Sequence, residues 1–309
     1  MISRPTTASA EVDRAYAACQ AVAKSKAKNF YYAFVALPAA RRNAICAIYA
    51  FMRRADDLAD DDESLTREER LLRLDEWLAG WRSVCEGGET SDPVFLALRD
   101  ATERFAIPHS LLDELVGGIK LDLMPAAADA PDTYATFADL YRYCYGVASV
   151  VGLACIRIFG YKDPAAEKLA EETGVAFQLT NILRDVAEDA GRNRIYLPLE
   201  NLKAHGVSLE SLLRRAPGVP PTPAERELLA DIAQRAEGYY QSARALVPLI
   251  DRESRPAMWV LLSIYHRLLV RIRRADYDVF SSRISVPLSQ KLGILAVGQA
   301  RMALARLSV

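Results

Sequence analysis

Apolar residues recur at helical spacing along most of the chain, and short polar or proline-containing stretches separate the segments. Between Arg41 and Asp60, for example, Ala44, Ile48 and Phe51 follow the i, i+4, i+7 pattern of a helix with one buried face. No stretch shows sustained alternation of apolar and polar residues, and no repeat of fixed period is present. The pattern predicts an all-α fold of about ten or more helices.

Capping signals and turn residues define the expected ends of these helices. Thr66 with Glu69 fits a capping box, in which each side chain satisfies a backbone N–H at a helix start, and Thr136 with Asp139 opens a later helix. The predicted helices span about Val12 to Lys28, Arg41 to Asp60, Thr66 to Cys85, Ser110 to Met124, Thr136 to Gly160, Pro164 to Gly191, Glu225 to Leu249, Arg255 to Tyr277 and Leu288 to Leu307. One further helix begins at Pro93, and short helical pieces are expected around Glu200 and Leu209.

The proline-rich stretch Pro217–Pro223 is the one segment that reads as a linker. A helix restarts directly after it, at Thr222 and Glu225, so we interpret the stretch as a surface loop rather than a domain boundary. We therefore expect a single domain over residues 1–309, in which about the first ten residues are flexible.

Composition narrows the function classes. Apolar residues make up 51% of the 309 residues, which is enough for a sizeable core, and the net charge is −1. That balance argues against a protein that binds nucleic acid, which needs a surplus of basic side chains. The three histidines are scattered, which argues against a zinc site built from histidine and cysteine.

The cysteine pattern and the apolar runs bear on localisation. Five cysteines without a C-x-x-C pair indicate reduced thiols in a cytoplasmic protein. The N-terminal residues lack the apolar stretch of a secretory signal. No uncharged apolar run reaches about 18 residues, so no transmembrane helix is expected. The longest apolar run, Gly146–Ile156, is interpreted as a buried helix.

Two pairs of aspartates stand four residues apart within predicted helices: Asp56 with Asp60, and Asp185 with Asp189. Residues i and i+4 lie on one side of a helix, so each pair brings two negative charges together. Carboxylate oxygens are ligands that Mg²⁺ prefers, and magnesium commonly binds carboxylates together with phosphate oxygens of a substrate. Two such helices facing each other would clamp a metal and a diphosphate across an apolar cavity. An acidic cluster taken alone is more often a solvated helix end.

The second pair belongs to a longer polar stripe. Gln178, Asn181 and Arg184 precede Asp185 at helical spacing, on a segment whose other positions are apolar. A purely structural helix rarely buries such a set, because each buried polar group needs a partner. Arginine also suits a phosphate, which it binds through two parallel hydrogen bonds. The stripe favours a binding site over a solvated helix end.

Apolar and aromatic residues would complete such a site. Tyr143, Val147 and Val151 recur every four residues, with Gly146 nearby, and would line a slot for an apolar chain if they face a cavity. The alternative is ordinary helix packing. The aromatic residues around Phe30 are equally ambiguous between core and pocket, although aromatic faces would stabilise a carbocation.

Five motifs carry a resemblance to a known family. They are NFYYAF (Asn29–Phe34), YAFMRRADDLAD (Tyr49–Asp60), YCYGVASVVG (Tyr143–Gly152), QLTNILRDVAED (Gln178–Asp189) and GRNRIYLP (Gly191–Pro198). Over about residues 28–283 the chain resembles the squalene and phytoene synthases, which join two prenyl diphosphates head to head. The resemblance implies a single-domain isoprenoid-synthase bundle of helices around a central cavity.

The resemblance also implies roles, position by position. The predicted metal ligands, which would bind the Mg²⁺ ions that hold the diphosphates, are Asp56, Asp60, Asp185 and Asp189. Together with these aspartates, Tyr143 is a predicted catalytic residue, placed by the reacting carbons. The predicted substrate-binding residues are Phe30, Tyr49, Arg53, Val147, Gln178, Asn181, Arg184, Tyr265 and Arg283.

Departures from the family pattern bear on the substrate. Asn29 stands where Ser or Thr is common, Ser149 stands where glycine is expected, and Arg283 follows Tyr277 at a spacing longer by one residue. The segment VASVVGLACIRIFGY is most similar to bacterial enzymes that make presqualene diphosphate for hopanoid synthesis. The resemblance therefore implies condensation of two farnesyl diphosphates to presqualene diphosphate, and NADPH is required only if the reaction continues to squalene.

Two alternatives stay open. A phytoene synthase would run the same chemistry on two geranylgeranyl diphosphates, and a non-catalytic helical relative would act as an assembly factor. Such non-catalytic relatives lose aspartates, whereas all four are present here. Because the product is a lipid, we expect peripheral contact with a membrane and contact with downstream isoprenoid enzymes.

Overall fold

Helices dominate the computed structural model of the chain, which describes residues 6–60, 64–121, 123, 132–216 and 218–307. Within these ranges the α-helices are α1 (Thr6–Lys26), α2 (Lys28–Val35), α3 (Ala39–Asp60), α4 (Arg67–Cys85), α5 (Pro93–Phe105), α6 (His109–Leu121), α7 (Phe137–Cys144), α8 (Val150–Phe159), α9 (Ala165–Ala190), α10 (Leu199–Ala204), α11 (Leu209–Leu213), α12 (Pro223–Leu246), α13 (Arg255–Arg274) and α14 (Leu288–Leu307). One turn of π-helix, Tyr145–Ser149, joins α7 to α8. Two short strands, β1 (Asp132–Thr133) and β2 (Arg194–Ile195), pair in parallel. The expected all-α fold is confirmed.

Helix α9 lies at the centre of the bundle. It packs against α12, against α13, and against the continuous helix formed by α7, the π-turn and α8. Helix α3 contacts α1, α5, α6 and α8 on the other side of that helix. Many positions of α9 between Ala166 and Val186 are buried, which explains why apolar residues surround its polar stripe. The bundle is therefore organised around the two helices that carry the aspartate pairs.

Two glycines allow neighbouring helices to approach the π-turn closely. A Cβ atom added at Gly118 of α6 would lie 2.4 Å from the carbonyl group of Gly146 in the π-turn. A Cβ atom added at Gly174 of α9 would lie 2.5 Å from the Cα atom of Ser149. Only a residue without a side chain fits such contacts. Helices α6 and α9 therefore pack closely against the π-turn. A single turn of π-helix, which has an extra residue, is often found at functional sites.

The stretch Phe137–Phe159, which comprises α7, the π-turn and α8, is long and apolar enough to cross a membrane by length and composition alone. Its mean hydropathy is 1.3 over the most apolar window, half of which is buried inside the fold. We expected no such stretch, since charged residues such as Arg142 interrupt the apolar run. Residues such as Val150 and Ala154 are fully buried in the bundle, which agrees with the interpretation of Gly146–Ile156 as a buried helix.

The predicted helix starts agree with the structure where a capping signal is present. The starts at Thr66 and Thr136 are confirmed, and both side chains form capping boxes with the third helical residue. The predicted end of α13 at Tyr277 is wrong. Asp276 and Tyr277 adopt positive φ angles of 51° and 58°, which are incompatible with a right-handed helix, and α13 stops at Arg274.

Other differences from the predicted elements are small. The helical region that Leu37-Pro38 ends comprises two helices, α1 and α2, which are separated at Ala27. The predicted end of α12 at Leu249 is three residues too late, because the helix gives way to a turn after Leu246. Strands β1 and β2 were not expected, since two residues give no alternation to detect. Met124, the predicted end of α6, lies outside the described residues.

Replacing Thr66 with Ala is expected to lower the free energy of unfolding by about 1 kcal/mol. The change removes the oxygen that accepts the Glu69 backbone N–H at 3.2 Å and caps α4. Urea denaturation followed by circular dichroism measures the difference. Thr66→Ser keeps the oxygen and serves as the control, so an equal loss in both variants would contradict the capping explanation.

Candidate active site

A cavity of about 550 Å³ lies between α2, α3, α8, α9 and α13. Its volume is in the range typical of small-molecule binding sites. The predicted site residues that line it are Phe30, Tyr49, Asp56, Tyr143, Val147, Gln178, Asn181, Arg184, Asp185 and Tyr265. Residues chosen from four of the five sequence motifs and from α13 therefore share one internal surface.

Polar side chains collect at one end of this cavity and apolar side chains at the other. On α3 the lining residues run from Asp56, in the last two turns of the helix, back to Ile45. On α9 they run from Asp185 back to Ala170. Each aspartate motif thus contributes one carboxylate to the same end. We call this the polar end of the cavity, and its members are Asp56, Gln178, Asn181, Arg184 and Asp185.

Asp185 is held by two arginines. Arg184 donates from Nε to Oδ1 of Asp185 at 2.8 Å and also pairs with Oδ2. Arg283, in the segment after α13, reaches Oδ1 of Asp185 at 2.9 Å and the carboxylate of Glu188 at 3.0 Å. Burial alone would lower the pKa of Arg184, but the hydrogen bonds and charge of Asp185 raise it. The structure therefore brings Arg283 to the second motif, despite the longer spacing in the sequence.

Asn181 connects the polar stripe of α9 to α13. Its Nδ2 donates to Oε1 of Gln178 at 3.3 Å. Burial raises the pKa of the Tyr265 hydroxyl to about 12, while the charge of Arg184 and a hydrogen bond with Asn181 act in the opposite direction. Oδ1 of Asn181 is buried and has no hydrogen-bond partner among the described residues. An unpaired, buried oxygen on a cavity-lining side chain is a natural contact point for a ligand.

Asp189 lies next to the cavity rather than in its wall. It borders a small hollow together with Arg194 and Tyr196. Burial raises the pKa of Asp189 to about 7, and the negative charges of Asp185 and Glu188 add to the effect. The repulsion expected from the four-residue spacing is therefore present. A cation bound here would relieve it.

The first aspartate motif is described only in part. Asp56 lines the cavity, but the side chain of Asp60 lies outside the described part of the chain. Arg53 forms an ion pair with Asp57 one turn further along α3 and does not line the cavity. Among the described side chains, no group of three or more Asp, Glu, His or Cys residues is close enough to hold a metal ion. Metal ligation by the two motifs stays a prediction.

Tyr143 is part of a stack of three tyrosines. Its ring lies 4.9 Å from that of Tyr196 and 5.4 Å from that of Tyr134, measured between centroids. Tyr134 and Tyr196 were not among the predicted site residues. Tyr196 belongs to the GRNRIYLP motif, so the motif was an available signal. Tyr134 follows β1, and only the pairing of β1 with β2 brings it to this place.

A second aromatic contact lies within the cavity wall. Phe177 stacks on Tyr265 with centroids 4.4 Å apart, and Phe30 approaches the same ring at 5.4 Å. Phe177 was missed, because an apolar residue on a buried helix gives no sequence signal that distinguishes a pocket from a core. Val147 and Val151 both line the cavity. Both residues therefore form part of the cavity wall, and their contact with a substrate stays a prediction.

An all-helical bundle with carboxylates at one end of an apolar cavity defines the isoprenoid-synthase class of protein. The family model described as squalene/phytoene synthase matches residues 23–290. A phytoene synthase from Mycobacterium bovis is 35% identical over 293 residues, which cover 94% of this chain and 92% of that protein. The chain belongs to the squalene/phytoene synthase family. It is therefore a prenyltransferase of the kind that condenses two prenyl diphosphates head to head.

Solved structures support the same assignment. The crystal structure of a dehydrosqualene synthase in complex with a ligand superposes with a TM-score of 0.81 at 30% identity, covering 95% of this chain and 98% of that chain. The structure of squalene synthase HpnC from Alicyclobacillus acidocaldarius gives a TM-score of 0.77 at 27% identity, covering 87% and 97%. The predicted helical bundle around a central cavity is confirmed.

Proposed function

We propose that the protein condenses two farnesyl diphosphates to presqualene diphosphate. The observation that carries the proposal is one cavity that has Asp56 and Asp185 from different helices at one end and apolar side chains at the other. Two prenyl chains must share this cavity, and the choice of the shorter substrate follows the segment VASVVGLACIRIFGY, which is most similar to bacterial enzymes that make presqualene diphosphate. Ile45, Phe159 and Leu246 close the apolar end, where one more isoprene unit on each chain would need space.

The oxygen donors at the polar end suit Mg²⁺. Asp56 and Asp185 offer carboxylates, and the buried Oδ1 of Asn181 lacks a partner among the described residues. Burial, with the negative charges of Asp185 and Glu188 added to it, raises the pKa of Asp189. The predicted ligands, which include Asp60, would hold the ion together with diphosphate oxygens. When bound, the ion would neutralise charge on the diphosphate and make it a better leaving group.

Arginines would hold the departing diphosphate. The side chains of Arg184 and Asp185 are 17% and 16% exposed, so their ion pair is largely shielded from water. Arg283 is 55% exposed and can exchange its carboxylate partners for a ligand at lower cost. Guanidinium groups bind diphosphate oxygens through paired hydrogen bonds, which strengthen as negative charge accumulates on the leaving group.

The coupling step needs a dry cavity and two chains held side by side. Loss of diphosphate from one substrate leaves an allylic cation at C1, which the C2–C3 double bond of the second substrate attacks. Loss of one proton then closes the cyclopropane ring of presqualene diphosphate. The apolar walls exclude water that would quench the cation. The ring faces of Tyr143, Phe177 and Tyr265 would stabilise its positive charge.

A phytoene synthase activity on two geranylgeranyl diphosphates is the second candidate. The phytoene synthase from Mycobacterium bovis is 35% identical to this chain, whereas squalene synthase HpnC is 27% identical. Both activities need the same polar end and the same sequence of bond changes. The difference between them depends on how much chain length the apolar end accommodates.

Incubation with farnesyl diphosphate and Mg²⁺ is expected to yield presqualene diphosphate, identified by mass spectrometry after extraction. Parallel reactions with geranylgeranyl diphosphate, and with an equimolar mixture, measure the preference between chain lengths. Exclusive formation of phytoene from the longer substrate would overturn the farnesyl assignment. Absence of product from either substrate would overturn the proposal as a whole. A further reaction with NADPH shows whether the product is reduced to squalene.

A further inference from the structure

Arg283 lies on irregular backbone rather than on a helix. Residues 275–287 join α13 to α14 and contain no helix or strand, and we call them the α13–α14 connection. From this connection Arg283 reaches Asp185 at 2.9 Å and Glu188 at 3.0 Å, both on α9. Irregular backbone has many accessible conformations, and fixing one of them costs entropy. The position of Arg283 therefore depends on contacts that hold the connection in place.

Buried apolar side chains anchor the connection on both sides of Arg283. Val279 and Phe280 before it are 3% and 7% exposed, and Ile284 and Val286 after it are 9% and 4% exposed. Only two residues, both exposed serines, separate Phe280 from Arg283. Three residues span about 10 Å at most when fully extended, so a shift of Phe280 would be transmitted to Arg283.

The ring of Phe280 packs against the guanidinium of Arg215, which follows α11. The guanidinium carbon lies 4.2 Å from the ring centroid. At its edge, Nη2 of Arg215 forms an ion pair with Glu225, and Nη1 donates to the carbonyl oxygens of Val219 and Pro220 at 3.1 Å each. A planar guanidinium can stack on an aromatic ring and donate hydrogen bonds from its edge at the same time. Arg215 therefore links Phe280 to the loop that precedes α12.

The first turn of α12 holds Arg215 in turn. The side chains of Arg215 and Glu225 are 11% and 4% exposed, so their ion pair is shielded from water. The carboxylate of Glu225 also accepts the backbone N–H of Thr222 at 2.7 Å and its hydroxyl at 2.9 Å. The next residue of α12, Arg226, pairs with Asp276 at 2.9 Å. The α13–α14 connection is thus attached to the start of α12 at two points.

We propose that Arg215 is a positioning residue for the prenyltransferase reaction, which holds Phe280 and thereby places Arg283 at the polar end of the cavity. Among the described residues that line the cavity, Arg215 is absent, so it would act through Arg283. The chain has one more residue between Tyr277 and Arg283 than the family pattern, and a longer connection needs such a contact. The inference rests on the proposed function, in which Arg283 binds diphosphate oxygens.

A double-mutant cycle tests this role through the binding of inorganic diphosphate in the presence of Mg²⁺, measured by isothermal titration calorimetry. Arg283→Ala is expected to weaken binding about tenfold or more, because it removes hydrogen bonds to a charged ligand. Arg215→Met, which keeps an unbranched stem and removes the guanidinium, is expected to weaken binding about fivefold or more. In the Arg283→Ala background, Arg215→Met is expected to change the affinity by less than about twofold, since its effect passes through Arg283.

Phe280→Leu tests the same contact from its other side. This variant removes the aromatic face and leaves the ion pair of Arg215 with Glu225 intact, so it stays informative if Arg215→Met does not fold. It is expected to weaken diphosphate binding about threefold or more in the wild-type background. In the Arg283→Ala background it is expected to change the affinity by less than about twofold.

Arg157→Met is the matched control for Arg215→Met. Arg157 on α8 also lies over an aromatic ring, 5.4 Å from the centroid of Tyr161, and also pairs with a glutamate, Glu167, at 2.8 Å. It shares the chemistry of Arg215 but not its link to the α13–α14 connection. Its replacement is expected to leave the affinity for diphosphate within about twofold of the wild type. Thermal unfolding of every variant shows which of them are folded.

The outcomes separate this inference from the proposed function. If the Arg215 and Phe280 variants weaken binding equally in both backgrounds, Arg215 has a structural role only and the inference is wrong. If folded variants at both positions bind like the wild type while Arg283→Ala is impaired, the inference is wrong and the diphosphate role of Arg283 stands. If Arg283→Ala binds like the wild type, or the wild type does not bind diphosphate, that role fails and the inference fails with it.

Discussion

Replacing Asp185 with Asn is expected to lower kcat by about a factor of 10³ or more while the fold is retained. The side chain lines the cavity, is 16% exposed, and forms ion pairs with Arg184 and Arg283. The change keeps the shape and removes the charge that would hold Mg²⁺ against the leaving diphosphate. Asp56→Asn is expected to have a similar effect from the other side of the cavity. Steady-state kinetics at saturating Mg²⁺ measure both variants.

Glu188→Gln is the matched control for Asp185→Asn. Glu188 lies on the same end of α9 and also pairs with Arg283, at 3.0 Å, but it does not line the cavity. If general charge at this helix end were responsible, the control would lose as much activity as the aspartate variant. We expect a change within about threefold, since an exposed ion pair contributes little. Retention of more than about a tenth of the activity by Asp185→Asn would contradict the assignment of the motif.

Helix starts were predictable because their signals are local. Pro93 was expected to start α5 and is its first helical residue, and the carboxylate of the preceding Asp92 accepts the backbone N–H of Val94 at 2.7 Å. The end of α13 was not predictable in the same way. No glycine or proline marks the left-handed backbone at Asp276 and Tyr277 that stops the helix.

The residues that line the cavity were predictable where helical spacing or a sequence motif identified them. Tyr143 and Val147 stand one turn apart, so a single helix presents both. The partners of Tyr143 were not predictable. Tyr134 and Tyr196 come from distant parts of the chain that meet through a two-residue strand pairing, and such long-range contacts leave no periodic pattern.

The ion pairs of Arg283 are further long-range contacts that the sequence pattern could not predict. Its position in the sequence suggested a diphosphate contact, but its contacts with Asp185 and Glu188 depend on the path of the chain after α13. That path is determined by the backbone conformation of Asp276 and Tyr277, where the chain leaves the helix. A residue on an irregular segment is therefore harder to place from sequence than one on a helix.

The apolar end of the cavity is held by a polar contact that the sequence did not indicate. Arg41, near the start of α3, donates to the carbonyl oxygen of Phe159 at the end of α8 and to the hydroxyl of the buried Ser254. It also forms an ion pair with Asp251 at 2.7 Å. The backbone N–H of Asp251 in turn donates to the carbonyl oxygen of Gly160 at 2.7 Å. These contacts hold the backbone at Phe159 in place, and the side chain of Phe159 lies at the apolar end of the cavity.

Replacing Phe159 with Ala is expected to raise the ratio of kcat/KM for geranylgeranyl diphosphate to kcat/KM for farnesyl diphosphate by about tenfold or more. The phenyl ring lines the apolar end and is 4% exposed. Because Arg41 holds the backbone in place, loss of the ring should lengthen the cavity rather than let α8 collapse into it. Competition between the two substrates, with products separated by mass, measures the ratio directly.

The stability cost of this change must be separated from its effect on selectivity. Truncation of a buried phenylalanine costs about 3–5 kcal/mol, so Phe159→Leu, which removes less volume, provides a milder variant that should shift the ratio in the same direction. Phe105→Ala, on α5 and away from the cavity, removes a ring that packs on the core without touching the substrate site. A selectivity ratio that stays at the wild-type value in both Phe159 variants, while thermal unfolding shows them folded, would contradict the role of this ring. An unchanged ratio would indicate instead that Ile45 of α3 and Leu246 of α12, which line the same end, determine the accepted chain length.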